Sequence, residues 1–531
     1  MTASFTRGGR RAGLLIPLFS FPSTTSWGIG DIGDIEPMTA WLAAAGQRVL
    51  QLLPINEMAA GQQSPYSAIS AMAIDPIFIR VPEVEDFAAL GGEARLADHD
   101  RAQLDFVRRA TRVQHGPVRA LKRTALRAAF DRFFETEWCR GTERARALRS
   151  FLSEQAWWIE DYSLFRAIHA REGERAWTAW PAELQRREPA AIDRARRELS
   201  REVLFFQYLQ WIASLQWQEA RRRAHGPLGI DLFGDLPFMV DSDSADVWAR
   251  QHQFHLDVSL GVPPDAFSAS GQDWGMPVYR WDVVAMEDYR WLRERARRGA
   301  DLFDGYRVDH LVGFYRTYGR PKNGGEPFFT PPDERSQQAL GERLLEIFRG
   351  AGAQIVAEDL GTVPDFVRAS LARLGVPGCR VFRWERYWHS DGQPFRDPAD
   401  YPPASVATSG THDTEPLVVW WERASEDERH KVAALPTIQR IAGANDFAHA
   451  PYDTKVRDVI LEALFASGSD LLLLPLQDVF GWRDRINEPA TVGDHNWSFR
   501  LPWPSDRLDE IPEARDRQQI LRDWAERYRR R

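Results

Sequence analysis

From Ile230 onward the chain repeats one pattern: a short apolar run, a stretch of helical periodicity, then another apolar run. The runs are Leu232–Val240, Tyr306–Leu311, Ile355–Leu360, Ser405–Thr408 and Leu471–Leu476, with helical patterns such as Ser336–Arg349 and Pro364–Leu374 between them. Strands that alternate with helices pair in parallel, because each helix carries the chain back to the start of the next strand. This many units predicts a closed (β/α)8 barrel of TIM type, an α/β fold. Upstream, the β-like runs Leu14–Phe19, Val49–Pro54 and Ile77–Val81 are separated by Gly- and Ser-rich loops.

Residues 87–224 have a different character. Ala, Arg, Glu and Leu dominate, and Leu204, Tyr208, Trp211, Leu215 and Trp217 follow the stripe of a core-facing helix. A mostly helical insertion is expected there, within a single catalytic unit spanning 1–531. The tryptophans in that stripe read as core rather than as a sugar-binding face. At the far end, Ile520, Leu521, Trp524 and Tyr528 mark a closing amphipathic helix, and the three terminal arginines read as a solvated tail.

Composition narrows the partners. A net charge of −8 with no sustained basic stripe argues against nucleic acid. Cys139 and Cys379 form no CxxC and suit a reducing, cytoplasmic compartment. No window approaches a membrane span. The N-terminal RGGRRAGLLIPLFSF has the outline of a signal peptide, but Pro17 and Pro22 interrupt and close it. It reads better as a buried first strand.

Several apolar runs end on carboxylates: Asp235, Asp309, Glu358 with Asp359, and Asp413. At the C-terminal mouth of a barrel such residues meet in space although they lie far apart in sequence. Residues i and i+2 of a strand share a face, so Arg307 is placed beside Asp309 and Val356 below Glu358. An Arg beside an Asp orients its oxygens and favours the carboxylate, as a nucleophile requires. A Glu above an apolar interior and near other acids should have its proton affinity raised, as a general acid requires.

One acidic strand end alone is more often a helix cap. Several on one barrel leave three readings. Glycoside chemistry uses two carboxylates as nucleophile and acid/base. A metal-dependent hydrolase would use His310, His412, Asp309 and Asp413, but no HxH or HExxH spacing supports it. A non-catalytic sugar-binding scaffold leaves the Arg-paired Asp unexplained. The Gly28–Gly33 stretch fits G-x-G-x-x-G, yet Asp31 would stand where a pyrophosphate should sit. A tight turn into a helix near Glu36 explains it better.

Nearly the whole chain resembles the 4-α-glucanotransferases of glycoside hydrolase family 77. The resemblance rests on SWGIGDIGD (26–34), GQRVLQLLPIN (46–56), SPYSAISAMAIDP (64–76), GDLPFMVDSDSADVWA (234–249), GVPPDAFSASGQDWGMPVYRWD (261–282), YRVDH (306–310), AEDLG (357–361), GTHDTE (410–415) and PLQDVFG (475–481). It implies an α-amylase-type barrel with helical insertions and no separate C-terminal β-domain. It also implies a retaining transfer of an α-1,4-glucan segment between donor and acceptor sugars, with a retaining hydrolase as the alternative. No metal or organic cofactor is implied.

By the same resemblance Asp309 matches the nucleophile, Glu358 the acid/base, and Asp413 the carboxylate that grips the reacting ring. Arg307 matches the residue orienting the nucleophile, and Tyr66 the aromatic platform, with Ser64, Asp235, His310 and His412 around it. Asp265, Gln272 and Trp274 fall in the loop that closes over the glucan, and Asn487 is a further expected contact. The chain departs from the usual pattern in three places: a short Val258-Ser259-Leu260 connection, the run Val381–Trp388, and THDTE for THDND. These bear on acceptor-side contacts rather than on the carboxylates.

Overall fold

The computed structural model describes residues 9–59, 61–264, 271–443, 446–489 and 491–531. Its strands are β1 (Arg11–Leu15), β2 (Val49–Gln51), β3 (Asp231–Leu236), β4 (Phe254–Val262), β5 (Gln272–Tyr279), β6 (Gly305–Val308), β7 (Thr317–Pro321), β8 (Phe328–Thr330), β9 (Gln354–Ala357), β10 (Gly378–Val381), β11 (Ser405–Thr408) and β12 (Leu471–Pro475). Eight of them close a parallel barrel in the order β1-β12-β11-β10-β9-β6-β3-β2. The first strand and the last are therefore neighbours, with Arg11 opposite Leu471 and Leu14 opposite Leu474.

The barrel interior is layered. At the N-terminal end of the strands Arg11 reaches Asp231 on β3 and donates to Gln354 on β9 at 2.6 Å, tying three strands across the floor. Above it Val49, Phe233, Val356, Cys379, Val406, Leu471 and Leu473 fill the middle. Gly305 makes room for this layer, since a Cβ there would come within 2.6 Å of the Phe233 ring. The next inward position on β3 is Asp235, which lies opposite Arg307 of β6 in the register. Polar chemistry thus begins where the apolar filling stops.

Helices from Glu85 to His225 lie between β2 and β3. The longest, Ser200–His225, buries Leu204, Tyr208, Trp211 and Trp217 as its periodicity requires. Leu215 departs from that stripe and points to solvent at 47 % exposure. After β12, the described residues hold short helices and the closing helix Pro512–Arg527, and no further strand.

Other expectations are corrected. Ile77–Val81 is not a strand: Pro76 and Pro82 start 3-10 turns at Pro76–Phe78 and Val81–Glu83. The first strand ends at Leu15 and gives way to a 3-10 turn at Leu18–Ser20, preceded by Pro17. β10 supplies the barrel strand that the Ile77 run does not. The terminal arginines are not all solvated, because Arg530 is fully buried and donates to the carbonyls of Phe465 and Ser467. β5, β4, β7 and β8 form an additional antiparallel sheet. No helix among the described residues is long and apolar enough to cross a membrane.

Candidate active site

The mouth of the barrel is organised by one guanidinium. Arg307 Nη1 donates to both oxygens of Asp235, at 2.9 and 2.7 Å, and its Nη2 lies 2.9 Å from Asp309 Oδ1. The Asp235 side chain is wholly buried, whereas that of Asp309 is 29 % exposed. Of the two acids on this fork, only Asp309 is open to a ligand. Burial pushes Asp235 up to about 6 against the pull of Arg307. Burial opposes the charge on Arg307, but Asp235 and Asp309 outweigh it and raise its proton affinity.

Glu358 follows β9, the strand next to β6. Its Oε2 accepts the backbone N–H of His310 at 2.8 Å and its Oε1 that of Leu360 at 3.2 Å. Burial pushes its carboxyl up to about 7; Arg307 opposes this and Asp309 adds to it. His310 presents its N–H from a left-handed backbone, with φ of 45°. Its imidazole packs on Phe238 and on the edge of Trp274, with ring centroids 5.1 and 4.9 Å away. Burial lowers His310 to about 4, so the ring is neutral at pH 7.

A third cluster follows β11. His412 Nε2 lies 3.1 Å from Asp413 Oδ2 and 3.1 Å from the Tyr66 hydroxyl, which donates to Asp235 Oδ2 at 3.1 Å. Asn487 Nδ2 donates to Asp413 Oδ1 at 2.6 Å. Burial works to raise Asp413, but His412 and the Asn487 amide overcome it and hold the acid well below the usual carboxylate range. Burial likewise works to lower His412, and Asp413 overcomes it, so His412 is raised. Burial and the neighbouring Asp235 raise the Tyr66 phenol. Tyr66 also stacks on His412 at 5.4 Å, and Ser64 Oγ accepts its backbone N–H at 3.3 Å.

The expected residues that are described therefore converge. Asp309, Glu358, Asp413, Arg307, Asp235, Tyr66, Ser64, His310, His412 and Asn487 form one connected network. Trp274 on β5 joins it through His310 and donates to Gln272 at 3.0 Å. Asp265 lies outside the described residues. Among the described residues, no group of His, Cys, Asp or Glu close enough to share an ion contains His310, His412, Asp309 or Asp413.

Two residues of the site escaped the sequence reading. Arg485 donates to the carbonyls of Asp413 and Asn487, at 2.5 and 2.7 Å, and so holds this pair from behind. Its only signal was its place two residues before Asn487. Trp497 packs against both Tyr66 and His412, at 5.9 Å each. It sits in an irregular loop, where no periodicity marks it.

A family model described as 4-alpha-glucanotransferase matches residues 16–506. The 4-alpha-glucanotransferase of Thermus thermophilus is 32 % identical over 529 residues, covering 96 % of this chain and 99 % of that protein. That of Chlamydia pneumoniae is 32 % identical over 502 residues, covering 92 % and 91 %. Among solved structures, the amylomaltase from Streptococcus agalactiae in complex with acarbose superposes with a TM-score of 0.81 at 27 % identity, covering 98 % of this chain and 99 % of that one. A barrel mouth lined by three acids in three electrostatic settings, on a chain whose residues 16–506 match the family model, leads to one assignment: the chain belongs to the 4-alpha-glucanotransferase family.

Proposed function

We propose that Asp309 is the nucleophile, Glu358 the acid/base and Asp413 the ring clamp of a retaining transfer between α-1,4-glucan chains. In the first half-reaction an Asp309 oxygen attacks the anomeric carbon while Glu358 gives its proton to the departing glucosidic oxygen. The carbon–oxygen bond to the leaving segment breaks, and a glucosyl ester on Asp309 forms. In the second half, Glu358 takes the proton from an acceptor 4-hydroxyl, whose oxygen displaces Asp309 and restores the α-linkage. The observation that carries this reading is the contrast between an open Asp309 on the Arg307 fork and a neighbouring Glu358 raised to about 7. A raised Glu358 beside an open, Arg307-oriented Asp309 supports giving the proton transfers to Glu358 and the attack to Asp309.

The remaining residues serve the sugar. Asp413, held anionic by His412 and Asn487, suits two adjacent ring hydroxyls and the positive charge that grows on the ring. Tyr66 offers an aromatic face beside it. Ser64, Asp235, His310 and His412 complete the pocket. Gln272 and Trp274, on β5, cover the bound chain, so that an acceptor hydroxyl reaches the ester before water does. The chain works as one catalytic unit in the cytoplasm. The helices between β2 and β3 form one wall of it, and no nucleic-acid partner is required.

The test is the product pattern from pure maltotriose, separated by chromatography. Glucose with a ladder of longer maltooligosaccharides is the expected result. Glucose and maltose without longer chains would mean that water takes the ester, and the transfer assignment would be wrong.

A further inference from the structure

Outside the network of acids, between β11 and β12, a short helix at Glu426–Ala433 faces a turn at residues 446–449. Glu426 and His430 are four residues apart and share a face of the helix. His449 comes from the turn. One ligand atom from each of the three lies within 4.8 Å of the other two. Proximity of exposed polar groups alone would mean little. What distinguishes this group is how its imidazoles are held.

His430 Nδ1 faces the carbonyl of Glu426 at 2.8 Å and must donate to it, so Nε2 keeps its lone pair. His449 Nδ1 faces both oxygens of Asp446 at 2.8 Å and likewise donates, which leaves its Nε2 free, 3.5 Å from Glu426 Oε1. The two rings stand edge to face with centroids 5.0 Å apart. Metal-binding imidazoles are oriented in this way, one nitrogen tied to a carbonyl or carboxylate so that the other points at the ion. The turn is also anchored, since Trp421 donates to the Ala450 carbonyl at 3.1 Å and packs on Phe447. By contrast, the other His–Asp–Asp group, His225, Asp231 and Asp304, has both acids taken by Arg11 and Arg221.

We infer that Glu426, His430 and His449 form a site for a zinc-class divalent cation, oriented by Asp446 and by the Glu426 carbonyl. Two nitrogens and one carboxylate select zinc over magnesium, which takes oxygen ligands and holds its water. Water fills the remaining positions. The ion clips the turn to the helix, and the same helix carries Glu428, which accepts from Arg386 in the loop after β10. The site is independent of the transfer chemistry, and its consequence is stability of this edge of the barrel mouth.

The test is calorimetric titration of ZnCl2 into the EDTA-treated, dialysed full-length chain, repeated with His430→Ala and His449→Ala. All three side chains are exposed, and unchanged turnover of maltotriose verifies that the variants are folded. One zinc per chain is expected, weakened at least roughly tenfold in either variant, and roughly 10–100-fold in Asp446→Asn. Zinc should raise the melting temperature of the parent chain and not that of His430→Ala. No binding at millimolar zinc would overturn the inference. So would binding that survives both His substitutions, or MgCl2 binding as tightly as ZnCl2.

Discussion

The backbone N–H of His310 donates to Glu358 Oε2 across 2.8 Å, and it does so from a left-handed conformation at φ of 45°. The residue after Asp309 thus turns the chain sharply enough to bring its own amide onto the neighbouring strand's acid. A strained backbone at that point sets the distance between two carboxylates. The imidazole is not needed for this contact.

His310→Val should therefore be worse than His310→Asn. A β-branched residue resists φ above zero, at a cost of about 1–3 kcal/mol, whereas Asn tolerates it. The expected outcome is a fall in kcat for Val roughly 10–100-fold beyond that for Asn. Equal losses in steady-state assays of maltotriose disproportionation would show that the ring, not the turn, matters.

Glu358 sets a pH limit of its own. Raised to about 7, it is about half-protonated at neutral pH and loses the rest of its proton above, so kcat should fall as pH rises through about 7. Glu358→Gln should abolish transfer from maltotriose yet still release fluoride from maltotriosyl fluoride, whose leaving group needs no proton. Stability follows the same group. Its folded value lies above the ordinary 4.5, so the folded state binds the extra proton between these values. The wild type should lose stability as pH rises from about 4.5 to about 7, and Glu358→Gln should lose less. Melting temperatures across pH 4 to 9 check the slope.

Asn487→Ala removes the 2.6 Å bond to Asp413. A hydrogen bond to a charged acceptor is worth about 1.5–3 kcal/mol. If Asp413 grips the reacting ring, kcat/KM should drop roughly 10–100-fold with the fold intact. A change confined to thermal stability would separate Asn487 from the reaction.

Arg530 makes a prediction of a different kind. It donates to the Phe465 and Ser467 carbonyls and to Ser467 Oγ from a fully buried position. Arg530→Ala takes the donor from the Phe465 carbonyl and Ser467 Oγ, while Arg10 still reaches the Ser467 carbonyl, and should destabilise the chain by about 1–3 kcal/mol in urea unfolding, with turnover at 25 °C unchanged.

How far the sequence was legible differs from element to element. Asp309, Glu358 and Asp413 could be read because each ends an apolar run, and the barrel rule places such ends together. Arg307 could be read because alternation along β6 is strict. Ile77–Val81 misled because its β-branched residues favour a strand while Pro76 and Pro82 bend it into turns. β10, Gly378-Cys379-Arg380-Val381, holds a single β-branched residue and so did not register, and part of its signal is Gly378, whose missing side chain admits the Asp359 carboxylate. The β5-β4-β7-β8 sheet is interrupted by Gly and Pro and carries no clear alternation. Arg530 looked like tail charge, because three consecutive arginines give no hint that one of them folds inward onto carbonyls. Long-range hydrogen bonds of this kind leave no local pattern.

The pairing of β1 with β12 has a consequence for how the molecule comes into being. A nascent chain that has emerged only as far as Asp413 already owns all three acids, yet it lacks the stave that completes the ring. Until Leu471–Pro475 leaves the ribosome, β1 and β11 have no neighbour between them, and the charged fork at the mouth sits on an open sheet. Synthesis itself therefore acts as a timer, and closure waits for the one stave that joins β11 to β1.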